Sequence, residues 1–359
     1  MKNQTKSRKA EHLEIALKKN VQFRKKSTLL EEVSFEGVEL VYKALPEIDK
    51  KEVNTEIEFL GKKFNAPLIV EAITGGIKEA EKINKDIAKA CEALGIGMGL
   101  GSIRAMLEDK KLARTYFVRD VAPNIFLAGN IGVTQLKEYS AKEIEKALKE
   151  IKADALAVHV NAAQEALQPE GSMDFSGLIE KIKELCEGLS FPVYVKEVGH
   201  GISREIAEEL RDAGIQAIDV GGAGGTSWTA IDSMRGDKKM KEIGKTYWDF
   251  GIPTAASLIE VKSVWKGKII ASGGIRNGLD IVKAIALGAD LGGIALPVLK
   301  AQQKGKSRAV QQYLERIIEE VRIGMFLIGA KNVKEIKEKE VVLGGKLKEW
   351  KEQRIGKES

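Results

Sequence analysis

Within the stretch AVHVNAAQEALQPEG, residues 157–171, four hydrogen-bonding side chains fall close together: His159, Asn161, Gln164 and Glu165. An imidazole, two amides and a carboxylate at one place can hold an anion, ligate a divalent cation and pass a proton. The run that leads into them is apolar and reads as a buried β-strand. Alternate side chains of a strand share a face, so Ala157, His159 and Asn161 point one way while Val158 and Val160 point the other. With the valines against a helical layer, His159 and Asn161 reach the open end of the strand. Gln164 and Glu165 follow in the loop above. The same pattern also suits a core histidine, an asparagine cap and two ordinary first-turn residues, so the neighbouring elements have to decide.

Those neighbours repeat. Short apolar runs near 66–72, 95–100, 124–130, 154–161, 192–196, 215–220, 268–271 and 291–295 alternate with amphipathic helical patterns. KEAEKINKDIAKACEAL begins at Lys78, SAKEIEKALKEI at Ser140, and SREIAEELRDAG runs from a Ser cap to a Gly. Alternating strands and helices predict a parallel sheet, and eight strands are the count of an α/β (β/α)8 TIM barrel. A doubly wound open sheet is the second choice. Residues 1–64 lie outside the repeat and are expected to form an N-terminal cap, with a helix near 10–19 and a β-like ELVYKALPEI. Residues 65–304 are the expected catalytic barrel. Residues 305–359 are expected to add C-terminal helices on its outside.

Sites of such barrels lie where strands end. Read in order, those ends carry Thr74-Gly75-Gly76, Gly101-Ser102-Ile103-Arg104, Asn130, the opening motif, Lys196-Glu197, GGAGGTSW (residues 221–228), Gly273-Gly274-Ile275-Arg276 and Ala295-Leu296. Two glycine-rich loops on adjacent strands let backbone N–H groups approach an oxyanion, and the second feeds a helix N-terminus. Thr226 and Ser227 add hydroxyls. A phosphate bound there could belong to a sugar phosphate, a nucleotide or FMN. Thr74, Ser102, Asn130 and Lys196 lie across the barrel from the glycine loops, where a flat ring over the mouth would reach all of them. A lysine at the ring edge would stabilise negative charge on a reduced flavin, which favours FMN.

Composition narrows the class. The balance of 58 basic against 52 acidic residues leaves a formal charge of +6, but the signs are interleaved, as on a solvated surface rather than a nucleic-acid footprint. Residues 1–26 alone are locally basic, a solubilising tail or a flap that meets an anion. Cys91 and Cys186 sit in separate helical patterns, so core packing is expected rather than a disulfide or a zinc site. Neither a secretory signal nor a membrane-length apolar run is read, and the cytoplasm is the expected compartment.

Taken together, the motifs resemble type 2 isopentenyl diphosphate isomerase. H-x-N-x-x-Q-E from His159 is followed by QPEG, and around it stand R-K-x-x-H (Arg8, Lys9, His12), T-G-G, G-S-x-R, K-E-V-G-x-G-I-S, G-G-T-S-W and S-G-G-I-R. Departures from the usual pattern are Ile73 for Met, Ile103 for Gln and Gly221 for a frequent Ser. The resemblance implies interconversion of two prenyl diphosphates with reduced FMN and Mg2+, NADPH as the reductant, and a homo-oligomer, tetrameric or octameric. It implies that Arg8, Lys9, His12, Ser102, Arg104, His159, Asn161 and Gln164 hold the substrate, with Gln164 near the reacting carbons and Glu165 on Mg2+. Ala72, Ile73, Thr74, Ser102, Asn130, Lys196, Gly221, Thr226, Gly274, Ile275, Arg276, Ala295 and Leu296 would contact FMN.

Rival readings are a 2-hydroxy-acid oxidoreductase with FMN and a non-catalytic flavin-binding protein. The former would need a histidine after the sixth strand, where DVGGAGGTSW has none. The latter would have little use for Arg8, Lys9, His159, Asn161 and Glu165 together. A nucleotide dehydrogenase would need a cysteine at a strand end, and neither Cys91 nor Cys186 is there.

Overall fold

The computed structural model describes residues 2–24 and 33–356. Eight parallel strands close into a barrel: β1 (Leu68–Val70), β2 (Gly97–Gly99), β3 (Leu127–Gly132), β4 (Ala155–Val160), β5 (Val193–Glu197), β6 (Ala217–Asp219), β7 (Lys268–Ser272) and β8 (Leu291–Ile294). Each falls in or across one of the eight expected runs, and β8 pairs with β1 to complete the ring. The open-sheet alternative is thereby excluded.

Alternation along the strands sorts two cores. Ile69, Ala128, Ala155, Ala157, Tyr194, Ala217, Ile270 and Leu291 fill the barrel interior. Leu156, Val158, Val195 and Ile218 face the outer helical layer. This is the split expected for β4, with the valine outward. A hairpin of Ile57–Phe59 and Lys62–Phe64 plugs the N-terminal end, where Phe59 meets Phe64 and Phe126 edge-on at 6.1 and 5.7 Å. A methyl group added to Gly97 would come within 2.5 Å of the Phe64 ring, so that plug tolerates nothing larger than glycine at this position of β2.

Local signals account for the outer helices. Lys78–Leu94 buries Ala80, Ile83, Ile87, Ala88 and Cys91 at helical spacing and stops at Gly95, which takes φ of +63°. Ser140 and Glu143 form a reciprocal capping box at the start of Ala141–Ile151. Ser203 accepts from Ile206 N at the start of Arg204–Arg211. Cys91 is buried and Cys186 half-buried, both as free thiols.

The flanking segments differ from expectation. The first helix runs over Lys2–Lys18, earlier and longer than 10–19. ELVYKALPEI contributes only the end of strand Val38–Leu40, which pairs antiparallel with Val341–Leu343 in the C-terminal region. That region is therefore not purely helical. Its Lys/Glu-rich sequence hides a strand that only the partner from the N-terminal cap can define. The helix Leu296–Leu327 is interrupted at Gly305 and Lys306, then Val333–Ile336 and Gly345–Arg354 follow. Met1, Lys25 and Lys26 of the basic stretch lie outside the described residues.

Candidate active site

At the C-terminal ends of the strands lies a cavity of about 360 Å³, and every site residue expected from the sequence lines it, from Arg8 to Leu296. Strand register explains the proximity. His159 on β4 is level with Lys196 on β5, and Lys196 is level with Asp219 on β6, so these three stand in one row around the mouth.

The side of the cavity made by β6 and β7 is built from backbone. Gly273 and Gly274 take φ of +95° and +91°, where L side chains are strained. A Cβ on Gly274 would come within 2.9 Å of Gly224 backbone, and one on Gly225 within 2.7 Å of Gly274 N. The two glycine loops thus interlock main chain to main chain. The N-terminal segment runs beside them: Phe23 N donates to Gly225 O at 3.0 Å and Ser227 N to Val21 O at 2.8 Å. Arg276 donates to Gln22 Oε1 at 2.9 Å and Gly224 O at 3.1 Å, fastening the segment to both loops.

Two expectations on this side change. Ser227 is buried, caps the helix Trp228–Arg235 and donates to Trp248 O at 2.7 Å, so its hydroxyl serves the fold. The first turn of the helix Gly278–Ala286 is partly taken as well: Gly278 N donates to Glu320, and Asp280 N to Asn277. Asp280 in turn accepts from Arg276 N. Two of that helix's first-turn N–H groups are therefore already engaged within the protein.

The opposite side is built from side chains. Asn161 donates to Gln164 Oε1 at 3.1 Å and to Glu165 Oε1 at 3.0 Å. Gln164 Nε2 donates to Asp232 Oδ2 at 2.9 Å, which fixes both ends of its amide. Asp232, fully buried, also meets His12 Nε2 at 2.8 Å and accepts from Arg235 at 2.9 Å. His12 therefore lines the cavity while committed to Asp232 and set edge-on to Trp228 at 5.2 Å. Asp232 is the principal residue the sequence reading missed. Its signal was a lone acid in the otherwise uncharged WTAIDSM turn, four residues after a motif already singled out.

Cations gather above this network. Lys9 donates to Ser102 O at 2.9 Å and to Tyr116 Oη at 3.0 Å, and Tyr116 donates to Ser102 O at 2.7 Å. The Tyr116 ring fills the space left by the glycines of T-G-G: a Cβ on Gly75 would overlap it at 2.0 Å. Burial, then Arg8, lowers the Lys9 ammonium to about 7. Burial, then Arg104, lowers Arg8 too, with Glu170, Glu165 and Asp232 opposing. Burial and the cations Lys196, Arg8 and Lys9 pull His159 down to about 3. His159 Nδ1 lies 2.6 Å from Asn130 Oδ1, and a neutral ring donating there leaves Nε2 bare. Cations that depress one another around a cavity mark a place for a polyanion.

Comparison with known proteins agrees with this geometry. Residues 119–343 match the family described as FMN-dependent dehydrogenase. An isopentenyl-diphosphate delta-isomerase of Pyrococcus furiosus is 44% identical over 357 residues, 97% of this chain and 89% of its own. That of Methanosarcina barkeri is 44% identical over 355 residues, 98% of this chain and 95% of its own. Among solved structures, a lactate oxidase of Pediococcus acidilactici superposes with a TM-score of 0.69 at 19% identity, covering 96% of this chain and 94% of that one. The last likeness concerns the fold alone. With near-full-length similarity and all the site motifs around one cavity, the chain belongs to the isopentenyl-diphosphate delta-isomerase family, built on the barrel of the FMN-dependent dehydrogenases.

Proposed function

We propose that the protein interconverts isopentenyl and dimethylallyl diphosphate by a 1,3-allylic proton shift that uses reduced FMN and Mg2+. The observation that carries this reading is the facing of two unlike walls. Interlocked glycine loops suit a flavin phosphate, and opposite them Arg8, Lys9 and Arg104 converge; Glu108 pairs with Arg104 at 2.9 Å and Glu170 lies 3.9 Å from Arg8, yet burial and mutual repulsion still lower Arg8 and Lys9. Guanidinium and ammonium donors are the groups that hold a diphosphate.

The residues fit FMN. The glycine cradle would admit its phosphate, Arg276 stands beside it, and buried Lys196 offers a cation at the ring edge. When bound, the reduced flavin supplies ring nitrogens able to give and take a proton, which a redox-neutral allylic shift requires. The protein's part is to hold and orient. His159, Asn161 and the three cations fix the diphosphate. Gln164, clamped between Asn161 and Asp232, presents its amide beside the prenyl tail, and an amide so clamped orients rather than abstracts.

Glu165 is the metal candidate. One of its oxygens accepts from Asn161, the other from Ser172 N at 2.8 Å. Among the described residues no three His, Cys, Asp or Glu side chains cluster, so Mg2+ here would draw its other ligands from phosphate oxygens and water. NADPH is the proposed source of reducing equivalents. Exposed Val41, Tyr42 and Leu45 beside the cap strand support self-association into a tetramer or octamer, which the mass in solution would test. No helix among the described residues is long and apolar enough to cross a membrane.

Solvent proton exchange into isopentenyl diphosphate, followed with and without dithionite-reduced FMN, tests the proposal directly. Exchange that requires the reduced flavin and yields dimethylallyl diphosphate supports it. Exchange with oxidised FMN and no reductant would overturn it. An oxidation of 2-hydroxy acids remains a weaker reading, because all three histidines, His12, His159 and His200, lie elsewhere than after β6.

A further inference from the structure

At the cavity floor lies a charged cluster whose carboxylates the proton shift does not use. Lys196 Nζ is 3.4 Å from Glu71 Oε2 and 3.1 Å from Asp219 Oδ2, and donates to Glu197 O at 3.0 Å. All of these side chains are buried, so two carboxylates share one ammonium away from water. They are not equivalent. Asp219 Oδ1 accepts from Ser272 Oγ at 2.7 Å and from Gly221 N at 3.2 Å. Asp219 Oδ2 has no hydrogen-bond partner among the described residues and lies 3.1 Å from Lys196 Nζ; Glu71 Oε1 has none either. It lies instead against β8, where a Cβ on Gly293 would come within 2.5 Å of it. The missing side chain at Gly293 makes the room that this carboxyl fills.

Of two buried carboxylates that share one ammonium, the one that accepts fewer hydrogen bonds holds a proton most readily, and Asp219 accepts two on its Oδ1. Burial, then Asp219, pushes Glu71 up to about 8, against the pull of Lys196. The other titratable groups around the cluster are Tyr194, held protonated by burial, His159 in the row beside Lys196, and Glu197, which burial raises to about 7 against the N–H groups of His200, Gly199 and Val198 and which both the wild type and the variants retain. With Glu71 protonated, Lys196 and Asp219 balance and the cluster is neutral. With Glu71 ionised, it carries a net negative charge beside the edge where the ring would lie.

We propose that Glu71 is a positioning residue for flavin charge, taking up a proton as the ring beside Lys196 becomes anionic and releasing it when the ring is oxidised. The inference rests on the FMN reading and deepens it. No bond to the flavin is involved, and the proton comes from solvent. Linkage sets the sign: negative charge on the ring raises the proton affinity of Glu71, so reduction at alkaline pH binds a proton that reduction at acid pH does not.

The test is the midpoint potential of FMN bound to the holoenzyme, from about pH 6 to about pH 10, in wild type and Glu71→Gln, bracketing the value to which burial moves the carboxyl. In wild type the potential should fall more steeply with pH above about 8 than below it. The variant should follow one shallower line and bind up to one proton fewer per reduction in the alkaline arm. Glu71→Ala, which removes the carboxyl without crowding Gly293, should give the same line if the amide disturbs folding. Identical slopes in wild type and both variants would overturn the inference while leaving FMN binding intact. A wild-type chain that binds no FMN would instead overturn the reading on which it rests.

Discussion

The two walls of the cavity are built by different means. Around β6 and β7 the wall is main chain, with glycine loops packed against each other at distances that exclude any side chain. Around β4 and the N-terminal helix it is side chains, in a hydrogen-bonded chain that runs from Asn161 through Gln164 to Asp232, His12 and Arg235. A main-chain wall is stiff and tolerates few substitutions, so it suits a resident cofactor. A side-chain wall can be altered one hydrogen bond at a time, so damage there should fall on turnover and leave the cofactor bound.

The largest effect that could break this contrast is at Gly274. Gly274→Leu forces a branched side chain to φ of +91° against Gly224 backbone. Strain of about 1–3 kcal/mol plus the clash should weaken FMN binding by roughly 10²-fold or more. Fluorescence titration with FMN measures it, and wild-type affinity would remove the phosphate from these loops. Next comes Gln164→Ala, which should lose about 10²–10⁴-fold in kcat while diphosphate affinity changes little, since His159, Asn161 and Arg104 remain. A change confined to KM would make Gln164 a binding residue.

Asp232→Asn keeps the shape but can no longer accept from Gln164, Arg235 and His12 together. Misorientation of Gln164 should cost about 10²-fold in kcat with FMN affinity unchanged. Loss of FMN in this variant would show that the two walls are one unit. Glu165→Gln should raise the Mg2+ requirement by at least the roughly 10–100-fold seen for weaker metal contacts. An unchanged Mg2+ dependence would move the metal elsewhere.

The smallest effect sharpens the contrast by pH. The free-enzyme Lys9 ammonium is lowered to about 7, so its charge is present below that value and lost as pH rises through it. A bound diphosphate would restore the charge by binding a proton. KM for the diphosphate should therefore climb by up to about tenfold per pH unit above about 7 until the value in the complex is passed, and Lys9→Ala should abolish that climb. Equal KM profiles would return Lys9 to a packing role against Tyr116.

Much of this was legible in residue order alone. Eight apolar runs separated by amphipathic helices count a barrel, because each run must be buried on both faces and each helix on one. Glycine pairs at strand ends announce a close approach, and H-x-N-x-x-Q-E announces a polar strand end, since period-two alternation is a property of the chain itself. These local rules brought all the expected site residues to one mouth.

Other features depend on partners distant in sequence. Asp232 clamps Gln164 across 68 positions, and Ser227 is drawn into the fold by Trp248 O. The Val38–Leu40 strand exists through Val341–Leu343, some three hundred residues away. Glu71 reads locally as an acid after a strand, yet its unmatched oxygen follows from Gly293 and Lys196 closing in from β8 and β5. Residue type and period set which groups face the mouth. Which of them remain available for chemistry was decided only by tertiary structure, because a hydrogen bond is spent or left open according to what the closed barrel brings within about 3 Å of it.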